Sequence, residues 1–182
     1  MMQFYYNTGP NPMKVALLLE ETCLDYEAVP VDGRKGDQHK PKYKAINPNA
    51  KAPSLVDDGA PIFDSNAILL YLADKTGKFA PAVDDAARGD MLSWLMFVAT
   101  GIGPYSGQSV HFQHHAPKKV PYAINRYRFE AKRHYHILND RLADRAYILG
   151  DDYSIVDMAT WGWARLLHLV IDADAWADLP HL

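Results

Sequence analysis

Two side-chain amides and a hydroxyl are crowded into the breaker cluster Asn7-Thr8-Gly9-Pro10-Asn11-Pro12, immediately ahead of a helical period. Asn and Thr beside Gly and Pro shape turns through side-chain-to-backbone hydrogen bonds. The same groups stand at the start of a helix, where a donor can face a ligand. Asp64-Ser65 opens another helix. Its ordinary role is an N-cap, and its N-terminal amides with the Ser65 hydroxyl also suit an anion. Cys23 is the single cysteine, so no internal disulfide or multi-thiolate metal site is open to the chain, which favours a reducing compartment. It lies well along the first helix without a Cys-x-x-Cys partner and reads as a small core residue. His111, His114 and His115 fit no zinc spacing and have no cysteine or paired acid nearby, so no metal is expected. Ser154-Ile155-Val156-Asp157 has capping-box spacing, with Asp where Glu or Gln is usual, just before the apolar Met158-Ala159 and Trp161.

These groups need elements to hold them. Gln3–Tyr6 is β-prone, and Val15, Leu18, Leu19 and Thr22 or Cys23 share one helical face. Tyr26–Val31 reads as a second strand, with Pro30 suited to an edge or a strand end. Residues 32–49 suggest a polar loop carrying one short helix. Ser54-Leu55-Val56 and Pro61-Ile62-Phe63 flank an Asp57-Asp58-Gly59 turn, a hairpin signal. A helix from Asp64-Ser65 buries Ile68, Leu69 and Leu72 and stops at Gly77. Beyond a linker at 78–85 the pattern is helical: one helix through Met91–Val98 broken at Gly101-Ile102-Gly103-Pro104, a second from Pro121 to about Ala143, and a third over Ile155–Val170. The reading is α/β plus all-α, with domains at residues 1–78 and 86–182.

With 182 residues, 48% of them hydrophobic, the chain can bury a core without staples, which excludes disorder as its main state. Net charge is −3, with 9 basic and 10 acidic residues up to Lys78 and 10 and 12 beyond it, so neither half is a basic arm and no nucleic acid is expected. The start lacks a basic, apolar leader pattern and the greasy stretches are too short to span a bilayer. A cytoplasmic protein without a membrane partner is expected.

Three segments together resemble a glutathione transferase. Ile46-Asn47-Pro48-Asn49-Ala50-Lys51-Ala52-Pro53 followed by Phe63-Asp64-Ser65-Asn66-Ala67-Ile68 is similar to the family's glutathione-binding half, and Tyr153–Asp157 to the folding signal of its helical domain. Gly101–Gln108 with His114-His115-Ala116-Pro117 and Pro121–Tyr127 is similar to the bacterial nu class, known for glutathione-dependent disulfide reduction and weak conjugation. The resemblance implies a thioredoxin-like N-terminal domain, a helical-bundle C-terminal domain and a homodimer. Glutathione would be a substrate, with no tightly bound cofactor, and the second substrate a small electrophile or a disulfide. Two departures stand out. Thr8 lies one place earlier than the class's Thr-Pro-Asn, and family chains run on past Leu182, so this chain reads as a fragment, a naturally short member or the ordered part of one.

Carried over residue by residue, the resemblance makes Asn11 the donor that activates the glutathione thiol, with Thr8 second and Tyr5 and Tyr6 as rivals expected to pack on the two faces of the sheet. Ser65 would hold the γ-glutamyl carboxylate and Asp64 the neighbouring ammonium. Pro53 would be cis and Ala52 would pair with the cysteinyl unit. Lys51 and Gln38 match positions at the glycine end or at a second glutathione, and Arg126 matches an arginine that could hold a carboxylate of that second molecule. A different reading keeps the fold for glutathione binding or scaffolding without catalysis.

Overall fold

The computed structural model describes residues 1–182. They form two compact units, Met1–Val83 and Asp84–Leu182. In the first, the order is β1 (Met2–Tyr6), α1 (Pro10–Thr22), β2 (Tyr26–Pro30), α2 (Pro41–Ile46), β3 (Ser54–Asp57), β4 (Ala60–Phe63) and α3 (Ser65–Thr76). Tight 3-10 turns at Gly33–Lys35 and Asp37–His39 occupy the expected loop ahead of its one short helix.

The four strands lie in the order β2-β1-β3-β4. β1 runs parallel to β2 and antiparallel to β3, which pairs antiparallel with β4. Pro30 ends the edge strand β2, where its missing N–H costs no ladder bond. Asp58 at φ 47 and Gly59 at φ 85 make the β3–β4 turn, the doubly positive pair that a two-residue hairpin favours. Tyr5 meets Tyr43 of α2 edge-on at 5.8 Å, whereas Phe4 and Tyr6 stack on the opposite face at 5.6 Å. The two tyrosines therefore point to opposite faces, as alternation requires. α1 and α3 pack together over a core of Phe4, Leu18, Leu19, Leu55, Ile68 and Leu69. This is the expected thioredoxin-like arrangement.

The second unit is helical: α4 (Arg88–Phe97), α5 (Gly103–Val110), α6 (Pro121–Arg141), α7 (Ile155–Ala164) and α8 (Leu167–Val170). Gly101–Pro104 does not break the chain as expected. A π-helical turn over Val98–Ile102 joins α4 directly to α5, and Pro104 sits in the first turn of α5, where a missing donor is tolerated. Gly101 is required by packing, because a Cβ there would lie 2.4 Å from the His134 ring. The expected helix over Ile155–Val170 is divided at Arg165-Leu166. Its capping box is complete: Ser154 Oγ accepts from Val156 N at 3.2 Å and Asp157 Oδ2 accepts from Ser154 N at 2.9 Å. Asp157 Oδ1 also accepts from Ile148 N, tying the preceding loop to the helix start. No helix is long and apolar enough to cross a membrane.

Candidate glutathione-binding cleft

The β1–α1 junction is built by Asn7. Its Oδ1 accepts from Gly9 N at 2.9 Å, an Asx turn that closes the loop. Gly9 is the N-cap and Pro10 the first residue of α1, so Asn11 lies half-buried in the opening turn with no acidic side chain there to offset the helix dipole. Thr8 is exposed and, with Tyr6, Asn7, Asp32 and Arg34, lines an open cleft of about 630 Å³.

A second hollow of about 230 Å³ brings Gln38, Lys51 and Ala52 together with Asn7, Gly33 and Ala50. Gln38 Nε2 donates to Gly33 O at 3.3 Å, while its buried Oε1 has no hydrogen-bond partner. A buried acceptor left unmet costs about 1–3 kcal/mol, which a ligand donor would recover. The Lys51 carbonyl is clamped by Tyr43 Oη at 2.7 Å and by Asn47 Nδ2 at 2.6 Å, and both donors also reach Ser54 Oγ. Burial, the main cause, pushes the Tyr43 phenol up, so it stays a donor. This clamp fixes the segment that carries Ala52 into β3. The Ala52–Pro53 peptide bond is cis.

At the start of α3, Asp64 is the N-cap with φ 73, and its Oδ1 accepts from Asn66 N at 2.8 Å and Ala67 N at 3.2 Å. A non-glycine residue at positive φ marks a conformation that the surroundings enforce. Ser65, the first residue of the helix, is buried. Beside it lies Lys14, 1% exposed, whose Nζ donates to Asn66 Oδ1 at 3.0 Å. Burial pushes the Lys14 ammonium down to about 8, against an opposing pull from Asp64.

The remaining candidates lie elsewhere. Arg126 is on α6 in the helical unit, where its Nη1 pairs with Glu130 at 2.9 Å. Cys23 is not a core residue: it is the exposed left-handed C-cap of α1, and Thr22 takes the buried position instead. The sequence assigns no role to Lys14, Tyr43 or Asn47, whereas Asn7 reads there as part of the turn-shaping cluster and its bond to Gly9 makes that turn. Lys14 had a signal, since it stands four residues before Leu18 and eight before Thr22 on a face otherwise buried.

A βαβ-ββα sheet of this topology followed by a helical unit defines a thioredoxin-fold protein of the transferase type. Residues 1–74 match the glutathione S-transferase N-terminal domain. The chain is 45% identical over 172 residues to the disulfide-bond oxidoreductase YfcG of Escherichia coli, covering 91% of this chain and 80% of that protein. It is 41% identical over 173 residues to the disulfide-bond oxidoreductase YghU of the same organism, covering 89% of this chain and 59% of that one. Among solved structures, a glutathione transferase from Burkholderia graminis with two glutathione molecules bound per subunit superimposes with a TM-score of 0.90 at 41% identity, over 99% of this chain and 79% of that one. The chain belongs to the glutathione transferase family.

Proposed function

We propose that the protein binds glutathione in its N-terminal unit, activates the thiol at the start of α1, and uses the thiolate to reduce disulfides or to attack small electrophiles. The convergence of Gln38, Lys51 and Ala52 on one hollow, with an unmet acceptor on Gln38, carries this reading. The Ala52 backbone then pairs with the cysteinyl unit as an added strand would. Ser65 receives the γ-glutamyl carboxylate through its hydroxyl and its own amide, the next two amides of α3 being held by Asp64. Asp64 meets the ammonium with the oxygen that the cap leaves over.

A free thiol titrates near ~8.5. Lowering it by about two units requires roughly 2.7 kcal/mol of preference for the charged form. A hydrogen bond to a charged acceptor supplies about 1.5–3 kcal/mol and a helix N-terminus about 0.3–1. Asn11, as the donor in the first turn of α1, suffices, with Thr8 on the adjoining turn as the second donor. In disulfide exchange the thiolate attacks one sulfur of a disulfide, forming a mixed disulfide and expelling the other sulfur as a thiolate. A second glutathione thiolate then attacks the mixed disulfide, releasing oxidised glutathione and the second thiol. Cys23 takes no part, since it closes the far end of a 13-residue helix, roughly 18 Å from Asn11 at ~1.5 Å per residue.

The same reading gives Arg126 a carboxylate of a second glutathione in exchange for part of its pairing with Glu130, and makes the molecule a homodimer. Retention on immobilised glutathione, followed by turnover with a glutathionylated or small organic disulfide, tests the proposal. Retention with turnover is expected. Retention without turnover identifies a non-catalytic binding protein, and absence of retention removes the reading.

A further inference from the structure

Lys14 is the most deeply buried charged side chain in the molecule, and nothing in the thiol chemistry above uses it. Its aliphatic stem runs in the α1–α3 layer, and its ammonium ends at Asn66, the second residue of α3, with a single hydrogen bond at 3.0 Å. Asp64 acts on it from the α3 side. α1 itself carries its acids, Glu20 and Glu21, at the opposite end. β1 and β3 present the apolar Phe4 and Leu55 to this layer. A buried cation is costly to keep, and Asp64 offsets only part of that cost, since burial still outweighs its pull. The position of the ammonium against the first turn of α3 therefore favours a further negative charge arriving there from outside.

We propose that Lys14 is a positioning residue for an α-amino-acid head group: acting through Asn66 and the first turn of α3, it makes the Ser65 amide and hydroxyl receptive to a carboxylate, while Asp64 leaves a negative locus for the adjoining ammonium. This rests on the proposal that glutathione binds at Ser65, and it assigns the selectivity of that end for a zwitterion to the pair Lys14 and Asp64. Ser65 supplies the hydrogen bond, and Lys14 supplies the sign of the local field. Because the ammonium loses its proton above pH 8 or so, the selectivity is tied to pH.

The test measures, by calorimetry at pH 6.5 and 9.5, binding of S-methylglutathione and of its analogue lacking the γ-glutamyl α-carboxylate. Blocking the sulfur removes thiol ionisation, and the ratio of the two affinities isolates the carboxylate. At pH 6.5 the wild type should prefer the carboxylate-bearing ligand, and Lys14→Met should lose at least about tenfold of that preference, since one charge within about 10 Å at an effective dielectric near ~20 is worth that much or more. The wild-type preference should itself shrink at pH 9.5, and by more than that of Lys14→Met, whose own change with pH measures the titration of the ligand's ammonium. Full preference in Lys14→Met overturns the inference. If that variant does not fold, a wild-type preference equal at the two pH values overturns it equally. Wild type that binds neither ligand defeats the glutathione reading itself, a result distinguishable from wild type that binds while Lys14→Met discriminates just as well.

Discussion

The carboxamide of Asn47 donates to the backbone carbonyl of Lys51 at 2.6 Å, so a buried side chain at the end of α2 dictates the path of the segment that presents Ala52. Tyr43 shares that carbonyl and Ser54 closes the network. Asn47→Ala leaves Ser54 and Lys51 short of a donor, at a cost of about 1–3 kcal/mol. Urea denaturation should show this loss, and glutathione binding should weaken with it because the Ala52 backbone is no longer held.

Ser65 separates a capping role from a binding role. Side-chain capping at this helix start comes from Asp64, whose Oδ1 takes the Asn66 and Ala67 amides. Ser65→Ala should therefore change stability little, while glutathione affinity falls about ten- to a hundredfold, the worth of a hydrogen bond to a charged group at roughly 1.5–3 kcal/mol. Calorimetry and a melting curve on the same sample separate the two.

Lys14 sets a pH dependence of stability. Its folded-state pKa of about 8 lies below the ordinary 10.5, so the folded state binds the proton less tightly than the unfolded one. Between those two values the unfolded chain holds the extra proton, and stability rises with pH across this window. Below it the full penalty is present, roughly 3 kcal/mol. Lys14→Met removes that penalty but strands Asn66 Oδ1, at a cost of about 1–3 kcal/mol. The variant should match or exceed the wild type in stability at pH 7, and the wild type should gain on it as pH rises from 8 to 10. Denaturation midpoints for both proteins over this range check the sign.

Gly101 carries a prediction about the helical unit. His134 is fixed by its Nδ1 contact with Glu130 O at 2.7 Å, and its ring fills the space where a side chain at 101 would go. Gly101→Ala should destabilise by about 1–3 kcal/mol, the usual cost of overpacking, measured as a lower melting temperature.

The breakers and the apolar periods made the N-terminal unit readable almost element by element. Asp58-Gly59 announced the hairpin, Gly77 the end of α3, and Ser154 with Asp157 the start of α7. What escaped depended on partners distant in sequence. Gly101–Pro104 looks like a stop locally, yet His134 and a π turn turn it into a continuation. Lys14 stands at a buried position of the helical period, but the partner that takes its ammonium there, Asn66, is 52 positions away. Cys23, well along the helix and without a Cys-x-x-Cys partner, reads as a small core residue, whereas the helix ends at Thr22 and turns Cys23 outward. Of the candidate site, Gln38, Lys51 and Ala52 converge, and the residues that hold them, Tyr43 and Asn47, carried no chemical signature of their own.

Under the proposed function, the Asn11 carboxamide stabilises the glutathione thiolate. The direct measurement is thiolate absorbance in the binary complex, titrated across neutral pH for the wild type, Asn11→Ala, Thr8→Val and Tyr6→Phe. Asn11→Ala should raise the bound thiol's pKa by about one to two units, the worth of one charge-assisted hydrogen bond. Thr8→Val should produce a smaller rise. Tyr6→Phe should leave the titration in place, because that ring stacks on Phe4 within the sheet layer. A titration that moves with Tyr6→Phe and not with Asn11→Ala would remove Asn11 as the activator and assign the thiol to the tyrosine.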